Sequence, residues 1–433
     1  MTYAEALQYL ESFINYEKMD GYNYKSSLKL ERMKRFASLL GDPQDRVKSI
    51  HIAGTKGKGS TATYVHSILK AAGYRTGIYT SPHLVDFRER IKIDDRLISE
   101  EELSSILERV KAVIEGHLKR DRPSFFEVYT AIAYMYFMEQ KCDFAVYEVG
   151  LGGRLDATNI INPLVSAITP LSYEHTDKLG ATLTQIAIEK CGIIKSGSIC
   201  VSAPQEEEAL KVVEETCRAR SAQLILVGKD INFEEVCFSD KEQVFNVTGI
   251  FGEHPILKSR LIGVHQMINA ATAVGLAGAL RMRGVKIFPD SIRAGIENAF
   301  WPGRLEIIKR DPYVILDGAQ NKASAEALAR TIKNRFRYGK LILVLGVSKD
   351  KDIRGILDIL APISDSMVLT KAKLVARAME PEDIKRHAAA GNAAVTSNVE
   401  DALKKAYSIA GKDDAILVTG SLFVVCDARA CLV

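Results

Sequence analysis

Residues able to bind phosphate are concentrated between Gly54 and Thr61, where three glycines, two lysines and three hydroxyl side chains follow one another. A strand-like run from Val47 to Ala53 precedes them, and a helical pattern from Thr61 to Leu69 follows. A strand, a glycine-rich turn and a helix start form the arrangement that cradles phosphate, because turn amides and the helix N-terminus face the anion. The alternative is a flexible turn that leads into a helix.

The spacing of this segment departs from the standard phosphate-binding loop, G-x-x-x-x-G-K-[ST]. Counting back from Gly57-Lys58 places Ile52 where the first glycine should stand. Gly59, and not a hydroxyl residue, follows the lysine, and the hydroxyl comes one place later at Ser60. The residue types are therefore present, but in shifted positions.

Polar side chains also follow other apolar strands, at Ser81, Glu148 and His175. Ligands of doubly wound sheets bind at the carboxyl ends of the strands, so we expect these side chains to converge on the glycine-rich turn. Hydroxyl and carboxylate oxygens suit Mg²⁺, which keeps several waters, whereas an imidazole is more usual for metals such as Zn²⁺. The alternatives are a capping Ser81, an ion-paired Glu148 and a loop His175.

A second glycine-rich segment, Gly150-Leu-Gly-Gly-Arg154-Leu-Asp156-Ala-Thr-Asn159, follows the strand that ends near Glu148. Three glycines ahead of an arginine and an aspartate indicate close approach to a ligand. The alternative is a surface Ω-loop.

Lys190 ends a helical stretch with an apolar face, 182–190. It could be a helix-end charge that favours the C-terminal dipole. It could also be a partly desolvated lysine with a lowered pKa, whose neutral amine adds CO₂ and becomes an anionic carbamate.

In the second half of the chain, Arg304 follows Trp301-Pro-Gly, and Asp317 ends a strand where it could hold ribose hydroxyls or cap a helix.

Strands alternate with helices in both halves of the chain, which predicts an α/β protein with doubly wound parallel sheets. Residues 84–96 are charged and predict irregular structure, and residues 231–262 predict a short antiparallel section. Trp301-Pro-Gly-Arg304 looks like a junction. We expect an N-terminal phosphate-binding domain over residues 1–298 and a smaller Rossmann-like domain over residues 299–433.

The composition is that of an ordinary soluble protein, with 433 residues, 47% hydrophobic residues and a net charge of +4. The charge is too balanced to predict a nucleic-acid partner, and no apolar run reaches membrane-spanning length. The seven cysteines are scattered, and the N-terminus lacks the basic start of a signal peptide. We expect a cytoplasmic protein with reduced thiols.

These motifs together resemble the folylpolyglutamate synthase/dihydrofolate synthase family, which are ATP-dependent amide ligases of the Mur ligase superfamily. Matching segments run in family order over nearly the whole chain: Gly54-Thr-Lys-Gly-Lys-Gly-Ser60, Tyr79-Thr-Ser-Pro-His-Leu84, Phe87-Arg-Glu-Arg-Ile91, Glu148 to Asn159, Glu189-Lys-Cys-Gly-Ile-Ile-Lys195, His265-Gln-Met-Ile-Asn269, Trp301-Pro-Gly-Arg-Leu-Glu306 and Asp317-Gly-Ala319.

The resemblance implies a role for each matching residue. The ATP site would comprise Gly54, Thr55, Gly57, Lys58, Gly59, Ser60 and Thr61, completed across a domain cleft by Asn269, Arg304 and Asp317. Mg²⁺ would be held by Ser81, Glu148 and His175, and a carbamylated Lys190 would help a second Mg²⁺ to bind. Lys58, Lys190, His175 and Arg304 would support catalysis. The pterin and glutamate side would include Phe125, Phe126, Arg154, Asp156 and Gln320.

We expect a monomer that acts on small molecules. The implied reaction has two steps. ATP phosphorylates a pteroate or reduced folate carboxylate, and the amine of L-glutamate displaces phosphate to form an amide. A carboxylate is a poor electrophile until its oxygen becomes a good leaving group, and Mg²⁺, Lys58 and Arg304 can offset the repulsion between two anionic substrates.

Several residues depart from the family pattern. The usual Asp-Gly-Ala-His-Asn-Pro is Asp317-Gly-Ala-Gln320-Asn321-Lys322 here, so the histidine contact is replaced by an amide that cannot act as an acid or base. Glu174 stands where an aspartate is usual, and Lys56 where bacterial members commonly have asparagine. Gln320 and Lys322 leave a Mur-type ligase with another acceptor or amino acid as the alternative. A P-loop switch or motor would need a macromolecular partner, and the near-neutral charge and the second α/β domain give it little support. A pure binding module would leave the metal-ligand set without use.

Overall fold

The computed structural model describes residues 1–17, 19, 22–373, 378–388 and 393–433. It has two α/β domains, as the alternation of strands and helices predicted, and a small antiparallel sheet beside the first. Among the described residues, no helix combines the length and the apolar character needed to cross a bilayer.

Eight strands form the first sheet: β1 (Lys48–Ala53), β2 (Thr76–Tyr79), β3 (Ile91–Ile93), β4 (Arg96–Leu97), β5 (Phe144–Glu148), β6 (Val165–Ile168), β7 (Ile199–Ser202) and β8 (Gln223–Leu226). Their order is β4-β3-β2-β5-β1-β6-β7-β8, and neighbouring strands from β2 to β8 are parallel. The prediction of irregular structure over residues 84–96 was wrong. A 3-10 turn at Phe87–Arg90 leads into β3 and β4, because Ile91 and Ile93 bury their side chains around Lys92.

Helices cover both faces of this sheet. They are α1 (Tyr3–Glu11), α2 (Tyr24–Ser27), α3 (Leu30–Leu39), α4 (Lys58–Ala71), α5 (Glu100–His117), α6 (Phe125–Glu139), α7 (Thr176–Leu179), α8 (Leu183–Cys191), α9 (Glu207–Ala219), α10 (Val264–Met282) and α11 (Pro289–Asn298). One face packs on α4, α10 and α11, and the other packs on α5, α6, α8 and α9. In β1, Ile50 and Ile52 belong to the first of these cores, and Ala53 belongs to the second.

The antiparallel section predicted for residues 231–262 is present as three strands, β9 (Ile231–Phe238), β10 (Gln243–Gly249) and β11 (Gly252–Ser259). They pack against α10 and α11. Ion pairs tie this sheet to the C-terminal domain: Arg335 pairs with Glu235 through both terminal guanidinium nitrogens, and Arg310 pairs with Asp240.

Six strands form the last sheet, in the order β12-β13-β17-β14-β15-β16: β12 (Glu306–Arg310), β13 (Tyr313–Leu316), β14 (Leu341–Leu345), β15 (Ser366–Leu369), β16 (Ala393–Val395) and β17 (Ala415–Thr419). All neighbours are parallel except β12 and β13. The helices are α12 (Lys322–Arg335), α13 (Ile353–Leu360), α14 (Pro381–His387), α15 (Val399–Ile409) and α16 (Leu422–Leu432). The first three pack on one face of the sheet, and the last two pack on the other.

Strand register brings the polar strand ends of the first domain to one rim. Ile52 lies opposite Glu148, and Ala53 lies opposite Ile168. The segments that follow β1, β5 and β6 therefore leave the sheet at the same level, as the carboxyl ends of parallel strands do.

Candidate functional site

A cleft of about 580 Å³ lies between the two α/β domains. Its first wall is formed by the segments after β1, β2, β5 and β6 and by the start of α10. Its second wall is formed by the turn between β13 and α12 and by one side of α16. The cleft therefore joins a carboxyl-end rim of one sheet to the corresponding rim of the other.

The turn after β1 holds its shape through contacts with the neighbouring strand end. The amides of Thr55 and Lys56 both donate to the carbonyl of Pro170, at 3.1 Å. Helix α4 begins at Lys58, three residues earlier than the helical pattern indicated, and Gly57 precedes it with φ of +83°. A β-carbon at Gly57 would overlap the amide group of Asn269, so only glycine allows α10 to approach this closely.

Ser81 and Glu148 meet beside this turn. The Ser81 amide donates to Glu148 Oε2 at 3.1 Å. Burial raises the pKa of the Glu148 carboxyl, and the nearby charges of Lys58 and Arg304 oppose that rise. A buried carboxylate that accepts a single backbone hydrogen bond and faces cations suits a site that binds a divalent metal with phosphate oxygens. Neither a capping role for Ser81 nor a salt bridge of Glu148 is present among the described residues.

His175 lines the same cleft from the segment after β6. It precedes the short helix α7 and has φ of +52°. Burial lowers its imidazole pKa to about 4, against the opposing effect of Glu174, so the ring is neutral at pH 7 and can use a nitrogen lone pair as a ligand. The described residues contain no group of three or more His, Cys, Asp or Glu side chains able to hold a metal. A Mg²⁺ ion here would draw its other ligands from phosphate and water.

Lys190 contacts the turn from α8 and is not among the residues that line the cleft. It lies in the last turn of α8, but its ammonium donates to the Gly54 carbonyl at 2.8 Å and is buried. Burial, followed by the charge of Lys58, lowers its pKa to about 7. A substantial fraction of neutral amine is therefore present near pH 7, which carbamate formation requires.

Glu174 links the two walls. Its Oε1 lies 2.9 Å from Lys56 Nζ in the first domain and 3.3 Å from Asn321 Nδ2 in the second. Burial raises the pKa of Glu174, but the charges of Lys56 and His175 outweigh burial and hold the pKa at about 2. The carboxylate is therefore ionised over the neutral range.

The second wall presents Arg304, Asp317 and Gln320. Asp317 accepts hydrogen bonds from the amides of Leu305 and Ala319, both at 2.9 Å. The helix-cap interpretation of Asp317 was wrong, because α12 begins at Lys322 and the side chain of Asn321 caps it. Burial raises the pKa of Asp317, and the charge of Arg304 opposes that rise.

The glycine-rich segment after β5 is largely folded on itself. Asp156 is buried, and its carboxylate accepts from the amides of Gly150, Leu151 and Thr158 at 2.9–3.1 Å and also from the Thr158 hydroxyl. Arg154 pairs with Glu189 at 2.8 Å. Only Gly150 of this segment lines the cleft.

The two phenylalanines predicted near a pterin differ in exposure. Phe125 is in the core, where its ring lies 5.4 Å from the ring of Tyr129 and the Arg90 guanidinium stacks at 5.3 Å. Phe126 is half-buried, and its ring covers the backbone of Gly150. Phe126 therefore lies next to the cleft wall, whereas Phe125 is part of the core.

Twelve of the predicted residues line one cleft: Thr55, Gly57, Lys58, Gly59, Ser60, Ser81, Glu148, His175, Asn269, Arg304, Asp317 and Gln320. The residues outside the lining are Gly54, Thr61, Lys190, Phe125, Phe126, Arg154 and Asp156. The sequence reasoning missed other lining residues, among them Lys92, Gln266 and Arg429. The alternation Ile91-Lys92-Ile93 is a strand signal that pointed to Lys92, whereas nothing in the pattern of α16 distinguished Arg429.

Two known domain families match the chain. Residues 52–277 match the Mur ligase middle domain, and residues 303–422 match the family described as Mur ligase, glutamate ligase domain. The dihydrofolate synthase/folylpolyglutamate synthase of Bacillus subtilis (strain 168) is 34% identical over 420 residues, which cover 92% of this chain and 94% of that protein.

Solved structures agree over the full length. The Mycobacterium tuberculosis folylpolyglutamate synthase complexed with ADP superposes with a TM-score of 0.90 at 33% identity, covering 99% of this chain and 98% of that one. The E. coli FolC in complex with DHPP and ADP gives a TM-score of 0.87 at 31% identity, covering 100% of this chain and 97% of that one.

Proposed function

The chain belongs to the folylpolyglutamate synthase/dihydrofolate synthase family of Mur ligases, and from this premise we propose how its cleft performs the ligation. The protein is an ATP-dependent ligase that joins glutamate to folates, through formation of an amide bond. One observation carries the proposal for its site: the residues expected to hold ATP, metal and carboxylate, drawn from both domains, line a single cleft.

ATP phosphates would bind at the turn after β1. The amides at the start of α4 and the ammonium of Lys58 face the cleft, and the helix N-terminus favours an anion there. Asn269 lies against this turn, and Arg304 and Asp317 face it from the second domain. Asp317 keeps acceptor capacity beyond its two backbone hydrogen bonds, and we propose that it receives the ribose hydroxyls.

Mg²⁺ would be held by Ser81, Glu148 and His175, together with the phosphates. When bound, the ion neutralises phosphate charge and polarises the transferred phosphoryl group. The chain's own contribution is a preformed Glu148 carboxylate, oriented by the Ser81 amide, and a neutral His175 imidazole.

Lys190 is proposed to act as a carbamate. Addition of CO₂ to its neutral amine forms an N–C bond and releases one proton, and the product is an anion beside the Gly54 carbonyl. That anion would assist a second Mg²⁺. Mass spectrometry after bicarbonate addition tests this directly, and retention of the unmodified lysine mass under all CO₂ conditions would rule it out.

The ligation proceeds by carboxylate activation. A carboxylate oxygen of the folate or pteroate attacks the γ-phosphorus of ATP, the bond to the β-phosphate oxygen breaks, and ADP leaves. The glutamate amine then attacks the acyl carbon, phosphate departs, and the amine loses its proton. Lys58 and Arg304 oppose the negative charge that accumulates in both steps.

Gln320 occupies the cleft where the family usually has histidine. Its amide donates and accepts hydrogen bonds but does not exchange protons near pH 7. We therefore propose that Gln320 positions the amino acid or the acyl phosphate, and that proton removal from the glutamate amine is left to solvent or to another group.

The test is ADP release by the purified protein with ATP, Mg²⁺, L-glutamate and either dihydropteroate or tetrahydrofolate. We expect ADP release that depends on both organic substrates, with an amide product of matching mass. ADP release without an acceptor, or preference for another amino acid in a screen, would overturn the assignment. The same assays show whether the protein uses dihydropteroate, tetrahydrofolate or both as acceptors.

Finer features are also part of the proposal. We propose that the protein is a monomer, that it is located in the cytoplasm, that its domain boundary lies between residues 298 and 299, and that it has no nucleic-acid or membrane partner. The first sheet, the antiparallel sheet and α11 all precede residue 299, and β12 to α16 follow it, which supports the boundary.

A further inference from the structure

One side of the cleft holds two cations to which the proposed reaction gives no role. Lys92 lies on β3 and Arg429 on α16, so the pair is assembled from both domains. The charge of Arg429 lowers the pKa of Lys92, after the larger effect of burial, so the two groups are electrostatic neighbours.

The positive charge of Lys92 has fewer partners than that of Arg429. Within the described part of the chain its ammonium has no hydrogen bond and no salt bridge, and it lies 5.7 Å from the centre of the Trp301 ring. Among the negative charges, Glu89 raises the pKa of Lys92 the most, but its carboxylate already accepts from the amides of Leu84, Val85 and Asp86 at 2.6–3.0 Å.

The guanidinium of Arg429 is only partly engaged in hydrogen bonds with Glu306. Its Nε donates to both oxygens of Glu306, at 3.1 and 3.2 Å, while Glu306 also accepts from the Gly303 amide. No hydrogen bond from its two terminal nitrogens is present among the described residues. A guanidinium held by Nε leaves its outer edge free for an anion, and that edge matches a carboxylate.

The other cations of the cleft already have a partner or a proposed role. Lys56 is paired with Glu174, and Lys58 and Arg304 are proposed above to act on the ATP phosphates. The cluster also lies close to the reaction centre, because the Trp301 ring beside Lys92 also covers the backbone of Gly59 in the phosphate turn. An anion bound at Lys92 and Arg429 would therefore sit beside the phosphates without replacing their own contacts.

We propose that Lys92 and the outer edge of Arg429 form a subsite for a carboxylate of a glutamyl group. The inference rests on the proposed ligation, in which the amino acid brings two carboxylates to a cleft whose cations Lys58 and Arg304 are assigned to ATP and Lys56 is paired with Glu174. The glutamyl group is either the incoming glutamate or the glutamyl tail of the folate, since both carry the same carboxylate chemistry.

Steady-state kinetics of Lys92→Met tests the subsite, because methionine keeps an apolar stem on Trp301 and removes the charge. We expect the KM for the glutamyl ligand to rise about tenfold, as loss of a charge-assisted hydrogen bond predicts, with kcat and the KM for ATP within about twofold of wild type. A rise in the KM for glutamate assigns the subsite to the incoming amino acid. A rise confined to a diglutamyl folate, compared with the monoglutamyl form, assigns it to the tail.

Two further variants keep the result independent of folding. Arg429→Lys retains a cation for Glu306 but loses the planar edge, so we expect a smaller rise in the same KM. Lys211→Met removes an equal charge from the exposed face of α9 and should leave the KM values for glutamate, folate and ATP unchanged.

Unchanged glutamyl KM values in Lys92→Met would overturn the subsite, and so would a rise in the KM for ATP alone. Calorimetry of glutamate binding to wild type and Lys92→Met, with a non-hydrolysable ATP analogue and folate present, reads the subsite without turnover. A wild type that binds glutamate through Lys92 but forms no amide would overturn the proposed function alone.

Discussion

Two glycine-rich loops follow neighbouring strands of the first sheet, and they use their backbone groups differently. The loop after β1, Gly54–Ser60, lines the cleft with nearly all of its residues. The loop after β5, Gly150–Asn159, contributes only Gly150 to the cleft. The sequence indicated ligand contact for both, because each has three glycines close to charged residues.

The difference lies in where each loop finds its hydrogen-bond acceptors. The second loop contains Asp156, which accepts from three of the loop's own amides and one hydroxyl. The first loop contains no carboxylate, and it is anchored from outside by Pro170 and Lys190. In a glycine-rich loop with an internal acceptor, the loop's own amides are hydrogen-bonded within the loop. A loop without such an acceptor leaves amides free to bind an anion.

Lys58→Ala should have the largest effect, because it removes the lysine of the first loop that is proposed to contact the ATP phosphates. We expect kcat for ADP release to fall about 10³-fold, with little change in thermal stability. Lys70→Ala, at the exposed end of the same helix, is the matched control and should retain activity. Normal turnover in Lys58→Ala would refute the phosphate role of the first loop.

Lys190→Ala should lower kcat about 10–100-fold, as loss of a group that supports metal binding does. The substitution also removes the hydrogen bond to Gly54, so the first loop loses an anchor. Activity measured against Mg²⁺ concentration separates the two effects, because weakened metal binding shifts the curve to higher Mg²⁺. Full activity at all Mg²⁺ concentrations would reduce Lys190 to a structural contact.

Asp156→Ala should act mainly on stability, because the second loop would lose the acceptor for four donors. We expect the free energy of unfolding to fall by about 2–3 kcal/mol, measured by urea denaturation. The proposed pterin contact of Asp156 makes the opposite prediction. Unchanged stability combined with a large rise in the KM for the folate would assign this carboxylate to the ligand and make the two loops alike.

Lys195→Ala should have the smallest effect and gives the counterpart of Lys190 for the second loop. Lys195 Nζ donates to the carbonyl and the side-chain oxygen of Asn159, at 2.8 and 2.9 Å. We expect a loss of about 1 kcal/mol in unfolding free energy and a kcat close to wild type. If kcat fell as far as in Lys190→Ala, the distinction between the two loops would not hold.

The alternation of apolar strands with helices was sufficient to predict both parallel sheets, because that pattern reflects burial on two faces. It failed at residues 84–96, where the alternation Ile91-Lys92-Ile93 is limited to the three residues of β3 and β4 has only two residues. It also placed Asp317 ambiguously, since a strand end followed by a helix fits either a cap or a ligand group. The choice of Asn321 as the cap depends on where α12 begins, which the residue types do not determine.

The position of the cleft was predicted from the strand ends, whereas the hydrogen-bond partners and the charge of each side chain were not. The sequence left Lys190 open between a helix-end charge and a desolvated amine, and only the position of α8 next to Gly54 reveals its carbonyl partner. Lys92 and Arg429 are 337 residues apart in the chain, and their proximity follows from how the domains meet. Contacts between domains leave no periodic trace in either segment.

Side-chain length has a particular consequence at Glu174. One of its oxygens reaches both Lys56 and Asn321, so a single carboxylate spans the gap between the walls. An aspartate, the usual family residue at this position, would draw the carboxylate back by about 1.5 Å, the length of one carbon–carbon bond. Hydrogen bonds do not tolerate that change, so at most one of the two contacts would remain. One methylene group thus determines whether this carboxylate belongs to one domain or joins two.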